Sequence, residues 1–233
     1  MYKILITMVI VMLTSCASTD MSDSLNRGKG QIPTHQFSDE NTIEEIRNLK
    51  PQAKPPMKVV VIPPYRWNSV SLEERKVIEK WGEKLKEIGF VKSLEIVPEY
   101  LRPRCGYKAN SNCYLKESRL AGARLGADAI LFLNDSTVTD RYVNPTSILN
   151  LTIVGMWFVP AHHRDSYSIY EASLFDIDNG YLYTVVEGYG ESKTIRPYMY
   201  VDWTTGQDKA RIIALDKLGE KLFVTAKEVI DSN

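Results

Sequence analysis

The residues in this sequence that could bind a metal ion are few. Of its three histidines, only His162 and His163 are adjacent, and Asp165 follows two positions later. Imidazole and carboxylate groups are common zinc ligands, so a metal site could be imagined in this segment. However, adjacent residues of a strand point to opposite faces, and the segment has the position of a solvated connection between two strands. We therefore predict no metal ion and no cofactor.

Motifs of the common enzyme classes are absent from the sequence. It contains no Gly-x-Ser-x-Gly, no glycine-rich phosphate loop and no His-Glu-x-x-His, which are patterns of hydrolases, nucleotide-binding proteins and zinc proteases. Asp176 and Asp178 precede Asn179-Gly180, but their spacing departs from a calcium-binding loop and is typical of a hairpin turn. Glu73-Glu74 is typical of a helix start. The sequence predicts no catalytic residues and a protein that is not an enzyme.

Composition excludes two further classes of protein. The 233 residues carry 29 Lys and Arg against 29 Asp and Glu, which leaves no basic patch of the kind that binds nucleic acid. The hydrophobic fraction of 44% is too high for a disordered chain. Among the 13 tyrosines, Tyr198 and Tyr200 could form a binding surface with Trp203, although such residues are more often part of a sheet.

The N-terminus has the pattern of an export signal. Lys3 is followed by an almost wholly apolar run at residues 4–13, which is shorter than the ~20 residues that a membrane-spanning helix needs. Leu13-Thr14-Ser15-Cys16 resembles the bacterial lipobox. That resemblance implies cleavage of residues 1–15 and a diacylglyceryl group on the Cys16 thiol. An ordinary signal peptide with an incidental cysteine is the alternative.

The residue after the lipidated cysteine predicts the destination. Ala17 stands there instead of Asp, which in lipoproteins of Gram-negative bacteria favours the outer membrane. We therefore expect a lipid anchor on the periplasmic face of that membrane. Without Lys3 the chain has a net charge of −1, so lipid and not basic residues would hold it at a membrane.

Once Cys16 is assigned to lipid, Cys105 and Cys113 remain as a pair. They flank a loop rich in Gly, Asn and Ser, and export to an oxidising compartment favours a disulfide between them. Free thiols are an alternative. A metal site is a further one, although no histidine lies nearby in the sequence.

The chain after the signal divides into two predicted parts. Residues 16–56 are polar and contain several prolines near their end, as is typical of a tether. Residues 57–233 are predicted to be one α/β domain with α+β character and one mixed sheet. Its first half alternates strands at 58–62, 94–97 and 129–133 with two helices, one starting at a Ser71/Glu74 capping box and ending at Gly89, the other at 117–125.

The second half of the domain is predicted to be antiparallel, with a helix at the end. Residues 148–159 form an apolar run without strict alternation, as is typical of a central strand buried on both sides. A hairpin that reaches a membrane or an oligomer interface is the alternative. Residues 167–177 and 181–186 flank the Asn179-Gly180 turn. A final helix starts at Asp202 or Thr204 and carries one apolar stripe, formed by Ile212, Leu215, Leu218, Leu222, Ala226 and Val229.

Four sequence blocks resemble a family of bacterial lipoproteins called rhombotarget lipoproteins. They are Phe90-Val-x-x-Leu-Glu-Ile-Val-Pro-x-Tyr-Leu-Arg-Pro103, Ala127-Asp-Ala-Ile-Leu-Phe-Leu133, Thr152-Ile-Val-Gly-x-x-x-Val-Pro160 and Ala172-x-x-Phe-Asp-Ile177. The family is named for an association with rhomboid-type sorting proteases through a Gly-Gly tail, which residues 227–233 lack. The order of elements is more distantly similar to the curli-secretion lipoprotein and to lipoprotein activators of cell-wall synthases, at the level of fold alone.

These observations lead to one principal hypothesis and two alternatives. The principal one is a lipid-anchored, non-enzymatic module that binds a protein partner of the cell envelope. The first alternative is an oligomeric lipoprotein, associated with secretion or a pore, in which residues 136–175 form an extended hairpin. The second is a hydrolase or metal protein centred on His162 and His163.

Overall fold

The secondary structure alternates in the first half of the chain and is dominated by two long strands in the second. A computed structural model describes residues 43–64, 70–102, 111–200, 202 and 204–232. The helices there are α1 (Ile43–Asn48), α2 (Leu72–Glu87), α3 (Ser111–Arg124), α4 (Ile153–Phe158) and α5 (Thr205–Asp231). The strands are β1 (Met57–Ile62), β2 (Val91–Ile96), β3 (Ala129–Val143), β4 (Pro160–Asp176) and β5 (Leu182–Pro197). Short 3-10 helices lie at Glu99–Leu101, Pro145–Leu151 and Tyr198–Tyr200.

The five strands form one mixed sheet in the order β2-β1-β3-β4-β5. β1 is parallel to both of its neighbours, β2 and β3, and α2 and α3 lie in the crossover connections that parallel strands require. β3 and β4 are antiparallel, since Thr137 lies beside Ser168 and Thr139 beside Ser166. This architecture confirms the predicted α/β class and its single mixed sheet.

The described residues fall into two compact units. The first, called here the base unit, comprises the described residues within 32–136, 169–189 and 212–233. The second, called the hairpin unit, comprises those within 137–168 and 190–211. Strands β3, β4 and β5 and helix α5 contribute residues to both units.

The core of the base unit covers both faces of β1. Val59 and Val61 belong to an apolar cluster with residues of α2, β3 and α5, whereas Val60 and Ile62 pack with Ala121 of α3. None of these four β1 side chains is more than 7% exposed. Burial on both faces explains the unbroken β-branched run, as predicted.

Helix α2 begins and ends as its sequence predicts. The Ser71 hydroxyl accepts a hydrogen bond from the Glu74 backbone N–H, and Glu74 Oε2 accepts one from the Ser71 backbone N–H. Glu74 Oε1 accepts a further hydrogen bond from the buried Tyr170 hydroxyl at 2.6 Å. Gly89 follows the helix with a φ of +74°, which glycine adopts without steric cost.

Helix α5 buries most of its predicted stripe in the base unit. Leu215, Leu218, Leu222 and Ala226 are buried, but Val229 is exposed. Gly219 allows a close contact with α2, because a Cβ at this position would lie 2.2 Å from the Trp81 ring. The Trp81 indole N–H and the Lys80 amine both donate to Asp216, at 2.8 and 2.6 Å.

Several element boundaries differ from the prediction. β2 begins at Val91 instead of residue 94, and α3 begins at Ser111 instead of residue 117. β3 continues ten residues beyond the predicted end at 133, to Val143. Its additional part is polar, and the cross-strand hydroxyl pairs with β4 stabilise it where apolar burial does not.

The prediction of a buried central strand at residues 148–159 is wrong. The 3-10 helix Pro145–Leu151 and helix α4 occupy most of this segment, which connects β3 to β4. Proline stands at the start of the 3-10 helix, and the Thr152 hydroxyl caps α4 by accepting from the Gly155 backbone N–H. Local helix-start signals therefore outweigh the β propensity of the apolar run.

The prediction of a solvated connection around His162-His163-Arg164-Asp165 is also wrong. β4 begins at Pro160, so both histidines lie within a strand, and Arg164 and Asp165 are buried. Pairing with β3 accounts for the difference, because the Asn144 backbone N–H donates to Ala161 O at 3.0 Å and aligns the two strands.

The predicted hairpin turn between β4 and β5 is confirmed and also binds the segment before β1. Gly180 has a φ of +76° in this turn. Asp176 Oδ2 accepts hydrogen bonds from the backbone N–H groups of Gln52 and Ala53 and from the Tyr183 hydroxyl. Gln52 and Ala53, which lie in the predicted tether at 16–56, are thus hydrogen-bonded to the base unit.

Candidate functional site

The candidate site is a group of exposed apolar residues in the hairpin unit. We call it the apolar tip: residues 145–158, which connect β3 to β4, together with Tyr198–Tyr200, which follow β5. Seven large side chains of the connection are between 41% and 87% exposed: Ile148, Leu149, Leu151, Ile153, Val154, Trp157 and Phe158. Tyr198, Met199 and Tyr200 are about half exposed. The apolar run at 148–159 is therefore a surface and not a core.

Hydrogen bonds give the apolar tip a defined backbone. The Thr152 backbone N–H and hydroxyl both donate to Leu149 O, at 3.0 and 2.8 Å. The same hydroxyl accepts from the Gly155 N–H at 2.9 Å. Gly155 is buried, and a Cβ there would meet Leu149 O at 1.8 Å. The two short helices therefore contact each other through a position that only glycine can occupy.

Three pairs of rings lie in the apolar tip and in the strand ends next to it. The rings of Trp157 and Tyr200 lie 5.8 Å apart in an edge-on arrangement, and those of His162 and Tyr198 lie 5.3 Å apart. His163 stacks on Tyr142 at 4.7 Å between ring centroids. Both histidines thus pack against tyrosines in the strand region next to the tip.

The apolar tip lies within a long uncharged stretch. From Tyr142 to His163, 22 consecutive residues include no Asp, Glu, Lys or Arg. From the exposed fractions of its side chains, the exposed apolar area is on the order of 700 Å². The largest apolar patch of a typical monomeric protein is about 300–600 Å², and patches above this size mark interaction sites.

Polar side chains, by contrast, are buried inside the hairpin unit. Ser166 and Ser168 of β4 are almost inaccessible and pair with Thr139 and Thr137 at 3.0 Å. The start of α5 covers this face, where the Gln207 amide donates to Thr139 Oγ1 at 2.9 Å. A ladder of hydroxyl groups therefore stabilises these strands.

On the opposite face of β4, a half-buried tyrosine pairs with a buried carboxylate. The Tyr142 hydroxyl donates to Asp165 Oδ2 at 3.2 Å. Burial and the neighbouring Asp165 carboxylate raise the pKa of Tyr142, so its hydroxyl stays neutral and donates. This pair orients side chains and does not provide a base for proton abstraction.

The histidines do not form a metal site with their neighbours. His162 interacts with the Asn150 amide and His163 with the Asn144 amide, each at 3.3 Å. Among the described residues, no group of three or more His, Cys, Asp or Glu side chains could hold a metal ion.

Two buried carboxylates of the base unit have structural partners. Glu74 belongs to the α2 capping box and to the hydrogen bond with Tyr170. Asp176 binds backbone N–H groups and the Tyr183 hydroxyl. Each carboxylate is satisfied by groups that fix local structure, so neither is arranged as an acid or base facing a substrate cavity.

The base unit also contains a small apolar cavity between α2 and α5. It has a volume of about 30 Å³, and its lining includes Trp81, Leu94 and Leu222. A space of this size holds about one water molecule. It offers no site for a substrate.

The predicted cysteine sites cannot be placed in the same way. Cys16 and Cys105 lie outside the described residues, and Cys113 lies in the first turn of α3, where the structure describes no side chains. Lipidation of Cys16 and a Cys105–Cys113 disulfide therefore stay predictions. In the part of the chain that the structure describes, no helix has the length and apolar character to cross a membrane.

No protein-family model and no curated protein sequence matches the chain. The PelC dodecamer structure from Paraburkholderia phytofirmans is 11% identical over 72% of this chain and 88% of that chain, with a TM-score of 0.32. Lipoprotein GNA1162 from Neisseria meningitidis is 12% identical over 76% of this chain and 99% of that chain, also with a TM-score of 0.32.

A HAM1 protein from Coxiella burnetii gives a similar match, 11% identical over 73% of this chain and 99% of that chain, with a TM-score of 0.33. Bacterial lipoproteins are thus among the similar structures, next to a protein of another kind. Because each TM-score lies below 0.5, these matches assign neither a fold family nor a function.

The sequence identifies the apolar residues of the tip but does not predict that they are exposed. The apolar run at 148–159 and the Tyr198/Tyr200 pair each have an interaction surface as one interpretation, but the sequence favours burial in a sheet for both. Pro145 before a Thr-Ser pair, and Thr152 three residues before Gly155, were the local signals of helix starts. Exposure could not be derived, because an apolar run gives no sign of whether a partner element covers it.

Proposed function

We propose that this protein is a lipid-anchored, non-enzymatic accessory module of the bacterial cell envelope that acts by binding, and that the apolar tip is its contact surface. The observation that carries the proposal is the exposure of seven large apolar side chains on two short helices, the second of which is capped by the Thr152 hydroxyl. Burial of half of the ~700 Å² would contribute about 9 kcal/mol before the cost of association. A surface of this kind is costly to keep in water unless something covers it.

The lipid anchor is the second part of the proposal. The Leu13-Thr14-Ser15-Cys16 block supports lipidation at Cys16, and Ala17 supports the outer membrane over the inner one. The rhombotarget-like blocks support a lipoprotein of that type, without processing at a Gly-Gly tail. Attachment through acyl chains requires no spanning helix, because each buried CH2 contributes about 0.8 kcal/mol.

Site-specific photo-crosslinking in intact cells tests the contact surface. A photoreactive amino acid replaces Phe158 in the tip or Leu72 at the start of α2 as the control, since these side chains are 76% and 71% exposed. We expect adducts with another envelope component from position 158 and none from position 72. The adducts should disappear when Ile153→Lys introduces a charge into the apolar tip. Equal adduct formation at the two positions would refute the tip as the contact surface.

Fractionation tests the anchor independently of the tip. Cys16→Ala should move the protein out of the fraction that is extracted only by detergent, because the thiol that receives the lipid is absent. A Cys16→Ala protein that still requires detergent for extraction, even when Ile153→Lys is also present, would contradict anchoring at this residue.

A second candidate function is an oligomeric, secretion- or pore-associated lipoprotein. The observation that favours it is the length of β3 and β4, 15 and 17 residues, which pair as a long hairpin over much of the 136–175 segment. Light scattering of the detergent-solubilised protein separates the candidates. A ring-sized assembly of defined mass would favour the oligomer, whereas a monomer would leave the binding module as the better description.

A further inference from the structure

We propose that the occupant of the apolar tip is the lipid bilayer: the tip inserts into the boundary between headgroups and acyl chains and provides a second membrane contact besides the lipid on Cys16. This inference rests on the proposed function of the tip as a contact surface and names its partner. The bilayer is preferred to a protein or a second copy of the chain on three properties of the tip: its charge, its backbone and its aromatic residues.

The charge pattern of the tip matches hydrocarbon. Exposed Ile148, Leu151, Ile153, Val154 and Phe158 stand within the 22 residues that carry no Asp, Glu, Lys or Arg. The cost of a charged group rises with its depth in a bilayer, from little at the interface to several kcal/mol at the midplane, so segments that enter the acyl region carry few such groups. Protein interfaces have no such requirement, and usually surround an apolar centre with a polar rim.

The backbone of the tip is suited to a medium without water. Inside a bilayer every unpaired N–H or C=O group is costly, so segments that enter it satisfy their own backbone. At the junction of the two helical turns, the Thr152 and Gly155 N–H groups both have acceptors within the tip. The Met156 and Val159 N–H groups donate to Thr152 O and Gly155 O, at 3.1 and 2.9 Å.

The tip and the residues next to it include the aromatic and cationic types that favour a membrane interface. Trp157 and Tyr200 form one edge-on ring pair, and Tyr198 lies against His162. Trp and Tyr are enriched at the level of lipid headgroups, because their rings are apolar and their N–H or O–H groups are polar. The Arg196 guanidinium donates to Tyr200 O at 3.4 Å, which holds a cation beside one of these rings, and a cation next to an inserted segment can attract lipid phosphates.

Crosslinking to lipid in a system without other proteins tests the inference. The full-length lipidated protein, with a photoreactive amino acid at position 158 or 72, is reconstituted into vesicles of phosphatidylethanolamine and phosphatidylglycerol. We expect lipid adducts from position 158, detected as a mass increase of one phospholipid, and none from position 72. The variants Ile153→Asp and Val154→Asp should reduce the yield at position 158 by about two- to fivefold.

The charged variants are expected to fold, because Ile153 and Val154 are 74% and 69% exposed. Their far-UV circular dichroism and thermal transition serve as controls. Equal lipid adducts from positions 158 and 72, or none from position 158, would overturn the inference. So would adducts only to a second copy of the chain, which would indicate an oligomer interface.

The experiments in vesicles and in cells distinguish a failure of the bilayer inference from a failure of the contact-surface proposal. If position 158 gives no lipid adduct in vesicles but captures an envelope protein in cells, the bilayer inference fails and the contact surface stands. If position 158 gives no adduct in either system, both fail. Lipid adducts in vesicles and in cells, abolished by Ile153→Asp in both, support both.

Discussion

Asp176 provides the most direct test of how the base unit is stabilised. Its side chain is fully buried, and its two oxygens accept four hydrogen bonds: from the backbone N–H groups of Gln52 and Ala53, from the Tyr183 hydroxyl and from the Asp178 backbone N–H. The variant Asp176→Asn keeps the shape of the side chain, removes its charge and replaces one accepting oxygen by a donor.

The expected loss of stability follows from these four bonds. A hydrogen bond to a charged group contributes about 1.5–3 kcal/mol and a neutral one about 1 kcal/mol, so three bonds that become neutral lose roughly 2 kcal/mol. The fourth N–H then faces an NH2 group and is left without an acceptor, which costs a further 1–3 kcal/mol or so. We expect Asp176→Asn to lower the free energy of unfolding by about 3–5 kcal/mol at neutral pH.

Urea unfolding of the purified protein in mild detergent measures this change. Asp176→Asn should shift the midpoint to lower urea with an unchanged m-value. The matched control is Asp178→Asn, two residues later in the same turn, whose side chain is exposed. A surface substitution of this kind is expected to change stability by no more than about 0.5 kcal/mol.

The pH dependence gives a second signature of Asp176. Burial alone raises the pKa of Asp176, but the hydrogen bonds from Tyr183, Gln52, Ala53 and Asp178 outweigh burial and lower it overall. The folded-state pKa therefore lies below the unfolded value of about 3.9. The stabilisation is present above that value and is lost as the pH falls through the folded-state pKa. The wild type and Asp176→Asn should thus approach each other below about pH 4.

Two results would refute this reasoning. The first is a loss of less than about 1 kcal/mol at neutral pH, since even one unsatisfied buried donor costs that much. The second is a difference between wild type and Asp176→Asn that stays constant from pH 7 to pH 3, which would mean that the Asp176 charge contributes nothing.

Three further predictions concern other parts of the chain. Gly219→Ala should lower the free energy of unfolding by about 1–3 kcal/mol in the same urea assay, because the added Cβ would meet the Trp81 ring of α2. Gly82→Ala is the control. Its Cβ would lie 3.3 Å from the nearest side-chain atom, so the free energy of unfolding should change little. Tyr170→Phe should cost about 1–3 kcal/mol, because the buried carboxylate of the α2 capping box loses its hydroxyl donor. Mass spectrometry of unreduced exported protein should find Cys105 joined to Cys113; free, alkylatable thiols at both positions would contradict the disulfide.

The elements that the sequence predicts well are those whose signals are local. Ser71 and Glu74 are three residues apart and define the start of α2 by their reciprocal hydrogen bonds. Gly180 follows Asn179 in a turn that needs a positive φ. The β-branched run of β1 is long enough for one strand and has no polar face, so burial on both sides follows. Each signal lies within a few residues, and no distant part of the chain has to be known.

The elements that the sequence does not predict depend on distant partners. The polar part of β3 has no apolar alternation, and only its pairing with β4, about 30 residues away, makes it a strand. For the same reason, the sequence predicts a connection at His162 and His163 where the structure has the start of β4. Glu74 was recognised as a helix-start residue, but its contact with Tyr170, 96 residues away, could not be derived from either residue.

In the hairpin unit, several small polar side chains are buried while the large apolar side chains at 148–158 are mostly exposed, so its stability and its proposed function depend on different residues. Its strands are held by hydroxyl pairs such as Thr139 with Ser166, each of which contributes roughly 0.2–1 kcal/mol. Its large apolar side chains at 148–158 are mostly on the surface. Because exposed side chains contribute little to folding, selection for stability alone does not explain aliphatic residues at Ile153 and Val154. Charged residues at these two positions should therefore leave the fold intact and change only what the tip contacts.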